Sequence, residues 1–297
     1  MAASTILLTG ATGLVGATTL FQLMTQTNHT ISARRLSFLE IPDMTRPGVF
    51  DHAAAQSDAI IHIATPLAYD DVIEKMVKPS WTIVHNVLLA AEKSSRTKRV
   101  IVTGSMVATF RLPNDLFSGR WAHSRECVPV LQGPFRAGGV EVYENRSFDL
   151  IYMLAPAITG KSIHPGFLPS KEALGGQAGI YRDLFDKETP GFVFPYFMDI
   201  EDVAKVHIRF LSPSVPGNER YLFHARELMT GNDMARAMRE DFPELRSRVP
   251  APDEAAGDTL PRNLVKTAIS KAEKVFGTEW KSARQTTHET VADIIAF

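Results

Sequence analysis

The chain has 297 residues, of which 44% are hydrophobic, and its formal net charge at pH 7 is −1. This length and composition can bury a large core, in one large domain or in one domain with a smaller lobe. A charge near zero, without basic runs interleaved with aromatic residues, argues against nucleic acid or an anionic membrane as a partner. Cys127 is the only cysteine, which excludes an internal disulfide and a metal site built from several cysteines. The N-terminus has no basic segment followed by a long apolar run, so we expect a cytoplasmic protein.

The N-terminal part begins with a short apolar run that ends in glycines. Thr5–Thr9 is predicted to be a buried parallel strand, and Leu14–Met24 continues with the spacing of a helix. The same alternation continues with strands at 59–63, 99–103 and 149–153 and with a helix over 72–93 that breaks near Pro79. Two more strands are predicted at His29–Ala33 and Ser37–Ile41.

Strands that alternate with helices predict an α/β fold, here a Rossmann-type doubly wound parallel sheet. Beyond Gly160 the chain turns to segments interrupted by glycine and proline. We therefore expect a nucleotide-binding core at 1–160, to which 197–225 returns, and a smaller C-terminal substrate lobe made of 161–196 and 226–297.

The loop after the first strand has three glycines at the spacing of a dinucleotide site. Gly10 permits a tight turn, Gly13 lets the backbone approach a pyrophosphate, and Gly16 allows the helix to pack closely. The helix N-terminus adds amide donors and a dipole that favours anions. A strand before the loop and an amphipathic helix after it strengthen the prediction. A structural turn that binds nothing is the alternative.

Several motifs together resemble one known family, the extended short-chain dehydrogenases/reductases of the dihydroflavonol-reductase type, in the NAD-dependent epimerase/dehydratase superfamily. The motifs are Thr9–Gly16, Ile41–Met44 with Pro47–Phe50, Ser57–Pro66, Thr103–Ser105 and Phe197–Ala204. The resemblance runs from the N-terminus to about Leu211.

This resemblance implies an NADP or NAD site and a place for a substrate carbonyl. The residues that it assigns to the cofactor are Gly10, Thr12, Gly13, Leu14, Val15 and Gly16 near the pyrophosphate, Asp43 and Met44 at the adenine, and Ala64 and Thr65 under the nicotinamide ribose. Ser105 corresponds to the serine that donates a hydrogen bond to the substrate carbonyl.

The chain departs from the family at the proton donor. In the family a tyrosine, with its pKa lowered by a lysine four residues later, protonates the carbonyl oxygen as hydride arrives. Phe135 and Gly139 stand where this pair is expected, and no tyrosine of the chain is followed by a lysine at that spacing. The pair is therefore predicted to be missing.

A second departure lies at the adenosine end. Only Arg34, Arg35 and Leu36 separate the two predicted strands at 29–33 and 37–41, whereas a parallel crossover needs a dozen or more residues. A crossover helix is therefore predicted to be missing. Arg34 and Arg35 are candidates to bind a 2′-phosphate, and solvated surface arginines are the alternative.

Three other side chains are candidate acids or bases: Tyr143, which follows Phe135 by eight residues, His164, and His123. Each has a plain structural alternative, as a half-buried aromatic or a surface histidine. The predicted pocket residues are Met106, Phe135, Tyr181, Tyr196 and Met198, which could equally pack a core. No histidine pair has the spacing of a metal site, so no metal is predicted.

Three functional hypotheses follow. The first is an enzyme that acts on a small, largely apolar, oxygenated metabolite by a non-redox step such as isomerisation, cyclisation, elimination or ring opening. The second is an NAD(P)H-dependent carbonyl reductase that takes its proton from Tyr143, His164 or water. The third is a dinucleotide-binding sensor without catalysis. In each case we expect a small-molecule partner and a monomer or weak homodimer.

Overall fold

A computed structural model describes residues 5–25, 36–68, 70–110, 114–124, 146–163, 180, 182–253, 260 and 262–295. The chain divides into two compact units. Unit 1 comprises Met1–Gly104, Cys127–Met153 and Ala204–Tyr221, and unit 2 comprises Ser105–Glu126, Leu154–Val203 and Leu222–Phe297. This division differs from the predicted boundaries chiefly at 105–126, which we expected in the core.

A five-stranded sheet with the order β1-β2-β3-β5-β8 forms the centre of unit 1. Its strands are β1 (Ile6–Thr9), β2 (Ala59–His62), β3 (Arg99–Ser105), β5 (Asp149–Ala155) and β8 (Glu219–Leu222). β1 pairs in parallel with β2, and β2 with β3, so that the carboxyl ends of all three lie at one edge. The predicted α/β class with a parallel central sheet is confirmed, and most of β2 and the middle of β3 are continuous apolar runs that are buried on both faces.

The helices of unit 1 are α1 (Leu14–Thr25), α2 (Asp51–Ala55) and α3 (Lys78–Lys93), with α4 (Ile200–Arg209) lying partly in its last segment. A π-helical turn at Ile73–Val77 precedes α3. Pro79 therefore lies in the first turn of α3, where a residue without an N–H is tolerated, and the irregular turn comes before it.

The strand predicted at Ser37–Ile41 is wrong. This segment has no regular structure, and residues 37–40 are all exposed, with Phe38 80% accessible. An amphipathic strand needs one face to bury, and this segment has none. The strand predicted at His29–Ala33 lies outside the described residues, so the missing crossover stays a prediction.

Unit 2 contains two short parallel sheets and several helices. The described elements are β4 (Trp121–Ala122), β6 (Ala157–Thr159), β7 (Phe197–Asp199), β9 (Lys266–Thr267), α5 (Gly231–Asp241), α6 (Ser270–Phe276) and α7 (Ala283–Ile294), with two 3-10 turns at 106–109 and 243–247. β4 pairs with β9, and β6 with β7. The α5 helix begins with a capping box of Thr230 and Asp233.

The pairing of β4 with β9 explains why 105–126 belongs to unit 2. The Val265 amide donates to the Leu116 carbonyl at 2.7 Å, and Leu116 and Ala122 pack in the same buried cluster as Tyr196 and Leu264. Leu116 and Val265 are more than a hundred residues apart, so no local pattern could reveal this pairing. None of the helices in the described ranges is long and apolar enough to cross a membrane.

Candidate functional site

The glycine loop of unit 1 follows β1 in a conformation that requires glycine. Gly10 has φ of +75°, and a Cβ there would lie 2.9 Å from the Ala64 amide nitrogen. A Cβ at Gly16 would overlap the Gly10 carbonyl oxygen. The Gly13 amide donates to that same carbonyl at 3.0 Å, and α1 begins at the next residue. Backbone therefore packs directly on backbone here, and the start of α1 has the form of an anion site.

Thr9 joins the ends of β1 and β2. Its hydroxyl accepts from the Ile63 and Ala64 amides at 3.2 and 3.3 Å and lies 2.8 Å from His62 Nδ1. Which of the two atoms donates depends on the tautomer of the imidazole. Burial lowers the pKa of His62 to about 4, so the ring is neutral at pH 7. This agrees with a structural role for His62.

The loop assigned to the adenine is fixed by two sets of hydrogen bonds. The Asp43 carboxylate accepts from the Thr45 hydroxyl at 2.6 Å and from its amide at 2.9 Å, and the hydroxyl bond chiefly lowers the Asp43 pKa. From α3, Asn86 Nδ2 donates to the carbonyls of Met44, Thr45 and Arg46 at 3.1, 3.0 and 3.1 Å.

Asn86 was not among the predicted site residues, although the sequence held a signal for it. It lies on the buried face of α3, together with Ile83, Val87 and Ala90. A polar amide on an otherwise apolar helix face indicates a specific buried partner.

Ser105, the predicted partner of a substrate carbonyl, is the last residue of β3 and is exposed. Its hydroxyl accepts from the Val107 amide at 3.4 Å, at the start of the 3-10 turn Met106–Thr109. This bond is long and therefore weak. Because Ser105 ends β3, its hydroxyl lies at the carboxyl edge of the sheet, where open α/β sheets bind ligands.

His123, a predicted acid or base, is an exposed residue directly after β4 in unit 2. Its ring stacks near that of Trp121, with centroids 6.3 Å apart, and Lys266 Nζ lies 5.8 Å from the Trp121 ring. His123 therefore lies on a solvent-facing surface, and its catalytic role stays a prediction.

Three predicted pocket residues lie in the packed interior of unit 2. Met106 and Met198 have no exposed surface, and Tyr196 is 2% exposed. The Tyr196 hydroxyl donates to the Val265 carbonyl, burial raises the pKa of that phenol to about 12, and its ring packs 4.8 Å from that of His224. These side chains therefore pack the core, and contact with a ligand stays a prediction.

Six predicted site residues lie outside the described residues: Arg34, Arg35, Phe135, Tyr143, His164 and Tyr181. Within the described ranges, no group of three histidine, cysteine or acidic side chains could hold a metal ion. A groove of about 320 Å³ in unit 2 is lined by α5 and α7, and Arg284 and Glu240 pair there at 2.7 Å. None of the predicted site residues that the structure describes lines this groove.

Comparisons with known proteins agree with this geometry. A family model described as the NAD dependent epimerase/dehydratase family matches residues 6–114, a range that holds the glycine loop, the adenine loop and Ser105. The match ends before Phe135, so it does not bear on the predicted loss of the tyrosine and lysine pair.

Individual relatives align with most of the chain. The ketoreductase CTB6 of Cercospora nicotianae is 26% identical over 93% of this chain and 91% of its own. The NADPH-dependent methylglyoxal reductase GRE2 of Saccharomyces cerevisiae is 22% identical over 89% of this chain and 85% of its own. The crystal structure of Gre2 from Candida albicans with NADPH has a TM-score of 0.83 at 17% identity, covers 99% of both chains and shows the same fold.

Proposed function

We propose that the protein is an NADPH-dependent carbonyl reductase that acts on a small ketone or aldehyde and obtains its proton from a group other than a tyrosine at position 135. The observation that carries the proposal is the glycine loop. Gly10 and Gly16 pack against backbone that a side chain would displace, and the start of α1 is left as an anion site.

Relatives support the redox step. Proteins named as ketoreductases and as NADPH-dependent methylglyoxal reductases align with most of the chain. Nothing among them supports the non-redox step that was the first hypothesis from the sequence. The reductase hypothesis, which the sequence left as an alternative, fits the relatives better.

Bound NADPH would supply the hydride, and the residues of this chain would do the rest. Gly13, Gly16 and the first amides of α1 would bind the pyrophosphate, and Arg34 and Arg35 the 2′-phosphate. The exposed Ser105 hydroxyl would donate a hydrogen bond to the carbonyl oxygen as negative charge develops there. The proton that completes the alcohol would come from Tyr143, His164 or water.

The test is NADPH binding by calorimetry, followed by loss of NADPH absorbance with methylglyoxal and a panel of ketones. Gly16→Ala should weaken NADPH binding by about 100-fold or more, roughly 2.7 kcal/mol, because its Cβ would displace the Gly10 carbonyl. Gly277→Ala is the control for a glycine substitution away from the loop. Unlike Gly16, Gly277 has a positive φ, of +83°, so alanine strains the backbone there, but it lies in unit 2 with no atom within 4 Å of the added Cβ, and NADPH binding should not change. Wild-type protein that binds no NADPH at millimolar concentration would exclude the proposal.

A second candidate, a dinucleotide-binding protein without turnover, is favoured by one observation, the absence of any tyrosine followed by a lysine four residues later. It predicts tight NADPH binding without consumption by any carbonyl compound. The same two measurements separate the candidates.

A further inference from the structure

We infer that Asn86 is a positioning residue for the adenosine half of the cofactor. The inference rests on the proposed function, since it assumes that NADPH binds at the carboxyl edge of the sheet in unit 1. Asn86 belongs to α3 and is 6% exposed.

Three backbone carbonyl groups of the loop accept hydrogen bonds from the Asn86 side chain. One amide nitrogen faces three successive carbonyl oxygens, those of Met44, Thr45 and Arg46, at 3.0 to 3.1 Å. Three consecutive carbonyls that point to one donor define the path of the loop, since a rotation of any of the three peptide units would break a bond. Nδ2 carries only two hydrogens, so at least one of them is shared between carbonyls.

Among the described residues, the other hydrogen bonds of this loop are local. Asp43 is held by Thr45, two residues away, which shapes the turn but does not tie it to the rest of unit 1. The preceding segment, residues 37–40, is exposed and irregular. Asn86 therefore ties the turn to α3 by hydrogen bonds, and the side chains of Ile41, Met44 and Val49 add apolar packing against the core cluster around Phe50.

The loop held in this way carries Asp43 and Met44, the residues assigned to the adenine. The Asp43 carboxylate is exposed while both of its bonds go to Thr45. Its position is thus set by the loop backbone and not by a partner elsewhere. Loss of the Asn86 amide should let the loop move, and binding would then have to order it again, which weakens affinity.

The experiment compares Asn86→Ala with Thr97→Ala by calorimetry. Thr97 is a matched control, because it is fully buried in the same unit and its hydroxyl donates to the carbonyls of Ala54 and Ser57 at 2.9 and 3.0 Å. Both variants lose a buried donor that serves several carbonyls. Three ligands are titrated: NADPH, 2′,5′-ADP as the adenosine half, and reduced nicotinamide mononucleotide as the other half.

We expect Asn86→Ala to raise the Kd of NADPH and of 2′,5′-ADP by a similar factor, about tenfold or roughly 1.4 kcal/mol. The Kd of the nicotinamide fragment should stay unchanged, and Thr97→Ala should change none of the three. If Asn86→Ala weakens the binding of both fragments equally, Asn86 has only a general structural role, and the inference is overturned. Unchanged binding of 2′,5′-ADP would overturn it as well.

Two further cases have defined outcomes: a variant that does not fold, and a wild-type protein that does not bind the ligands. Should Asn86→Ala fail to fold, Asn86→Ser and Thr97→Ser take their places, since the shorter serine hydroxyl cannot reach all three carbonyls. Should wild-type protein bind neither NADPH nor 2′,5′-ADP, the proposed function itself fails and this inference with it. If wild-type protein and the Asn86 variant bind NADPH and 2′,5′-ADP equally well, only the inference is overturned and the proposed function stands.

Discussion

The two units use their buried polar side chains differently. In unit 1, Thr9 holds the residues that follow β2, and Asn86 holds the loop at Met44–Arg46, so these polar bonds shape the surface where a nucleotide would lie. In unit 2, Lys281 pairs with carboxylates of β7, α4 and α7, and the Tyr196 hydroxyl donates to the Val265 carbonyl. Polar bonds in unit 1 thus shape a site, whereas those in unit 2 stabilise a lobe.

The largest effect should come from Lys281 in unit 2. Its side chain is 13% exposed, and Nζ lies 3.3 Å from Asp199, 3.1 Å from Glu201 and 2.5 Å from Glu289. Burial acts to lower the Lys281 pKa, but the hydrogen bond to Glu289 and the charge of Asp199 outweigh it and raise that pKa.

Lys281→Met should therefore lower the free energy of unfolding by about 3 kcal/mol, because it leaves the fully buried Asp199 carboxylate without its counter-charge. Urea unfolding at pH 7 measures it, with the exposed Lys274→Met as control. Burial already raises the Asp199 pKa. The loss of unfolding free energy caused by Lys281→Met should accordingly become smaller as the pH falls and Asp199 becomes protonated. An effect below 1 kcal/mol would contradict the view that polar bonds stabilise unit 2.

One buried histidine in each unit provides a direct comparison. His62 in unit 1 and His224 in unit 2 are 1% and 5% exposed, and burial lowers the pKa of each to about 4. The unfolded chain has an ordinary histidine pKa near 6.5, so between pH 6.5 and 4 the unfolded state binds more protons. Stability is thus fully present above about pH 6.5 and is lost as the pH falls.

Each histidine should account for up to about 3 kcal/mol of the loss between pH 7 and pH 4. His62→Gln and His224→Gln should each flatten the pH dependence, and hydrogen exchange at β2 and at Ala225 should show the effect in the unit concerned. The exposed His52→Gln controls for the substitution itself. If replacing either buried histidine leaves the pH dependence of stability unchanged, that imidazole does not remain neutral in the folded protein.

The parts of the fold that were predictable depend on local patterns. β1, β2, β3 and α1 follow from continuous apolar runs, a glycine turn and helical spacing, and their observed bounds differ from the predicted ones by one or two residues. Ser37–Ile41 misled the prediction, because short apolar segments resemble strands even where no neighbour buries them.

The candidate site was predictable only where a motif carries it. The glycine loop and Ser105 belong to short motifs, and the structure gives them the expected backbone form. Asn86 donates hydrogen bonds to carbonyls 40 to 42 residues away, and Tyr196 donates to a carbonyl 69 residues away. Such partners are set by tertiary packing, which no local window of sequence contains. Tyr196 was accordingly predicted as a pocket residue, whereas its hydroxyl is used inside unit 2.

The smallest effect is expected at Ser105, whose hydroxyl differs from the buried groups of both units because it is exposed and makes one long bond. If the reductase proposal holds, Ser105→Ala should lower kcat by about 100-fold, roughly 2.7 kcal/mol, by removing a donor to the developing oxyanion, and should leave the free energy of unfolding unchanged. Ser94→Ala is the opposite control. Ser94 is buried, donates to the Ala54 carbonyl at 3.0 Å and accepts from the Thr97 amide at 3.0 Å, so its loss should lower stability and spare the rate. Ketone turnover and urea unfolding of the two variants measure both effects. Equal rates for Ser105→Ala and wild type would mean that this hydroxyl only caps the 3-10 turn, and the carbonyl would then be bound by other groups.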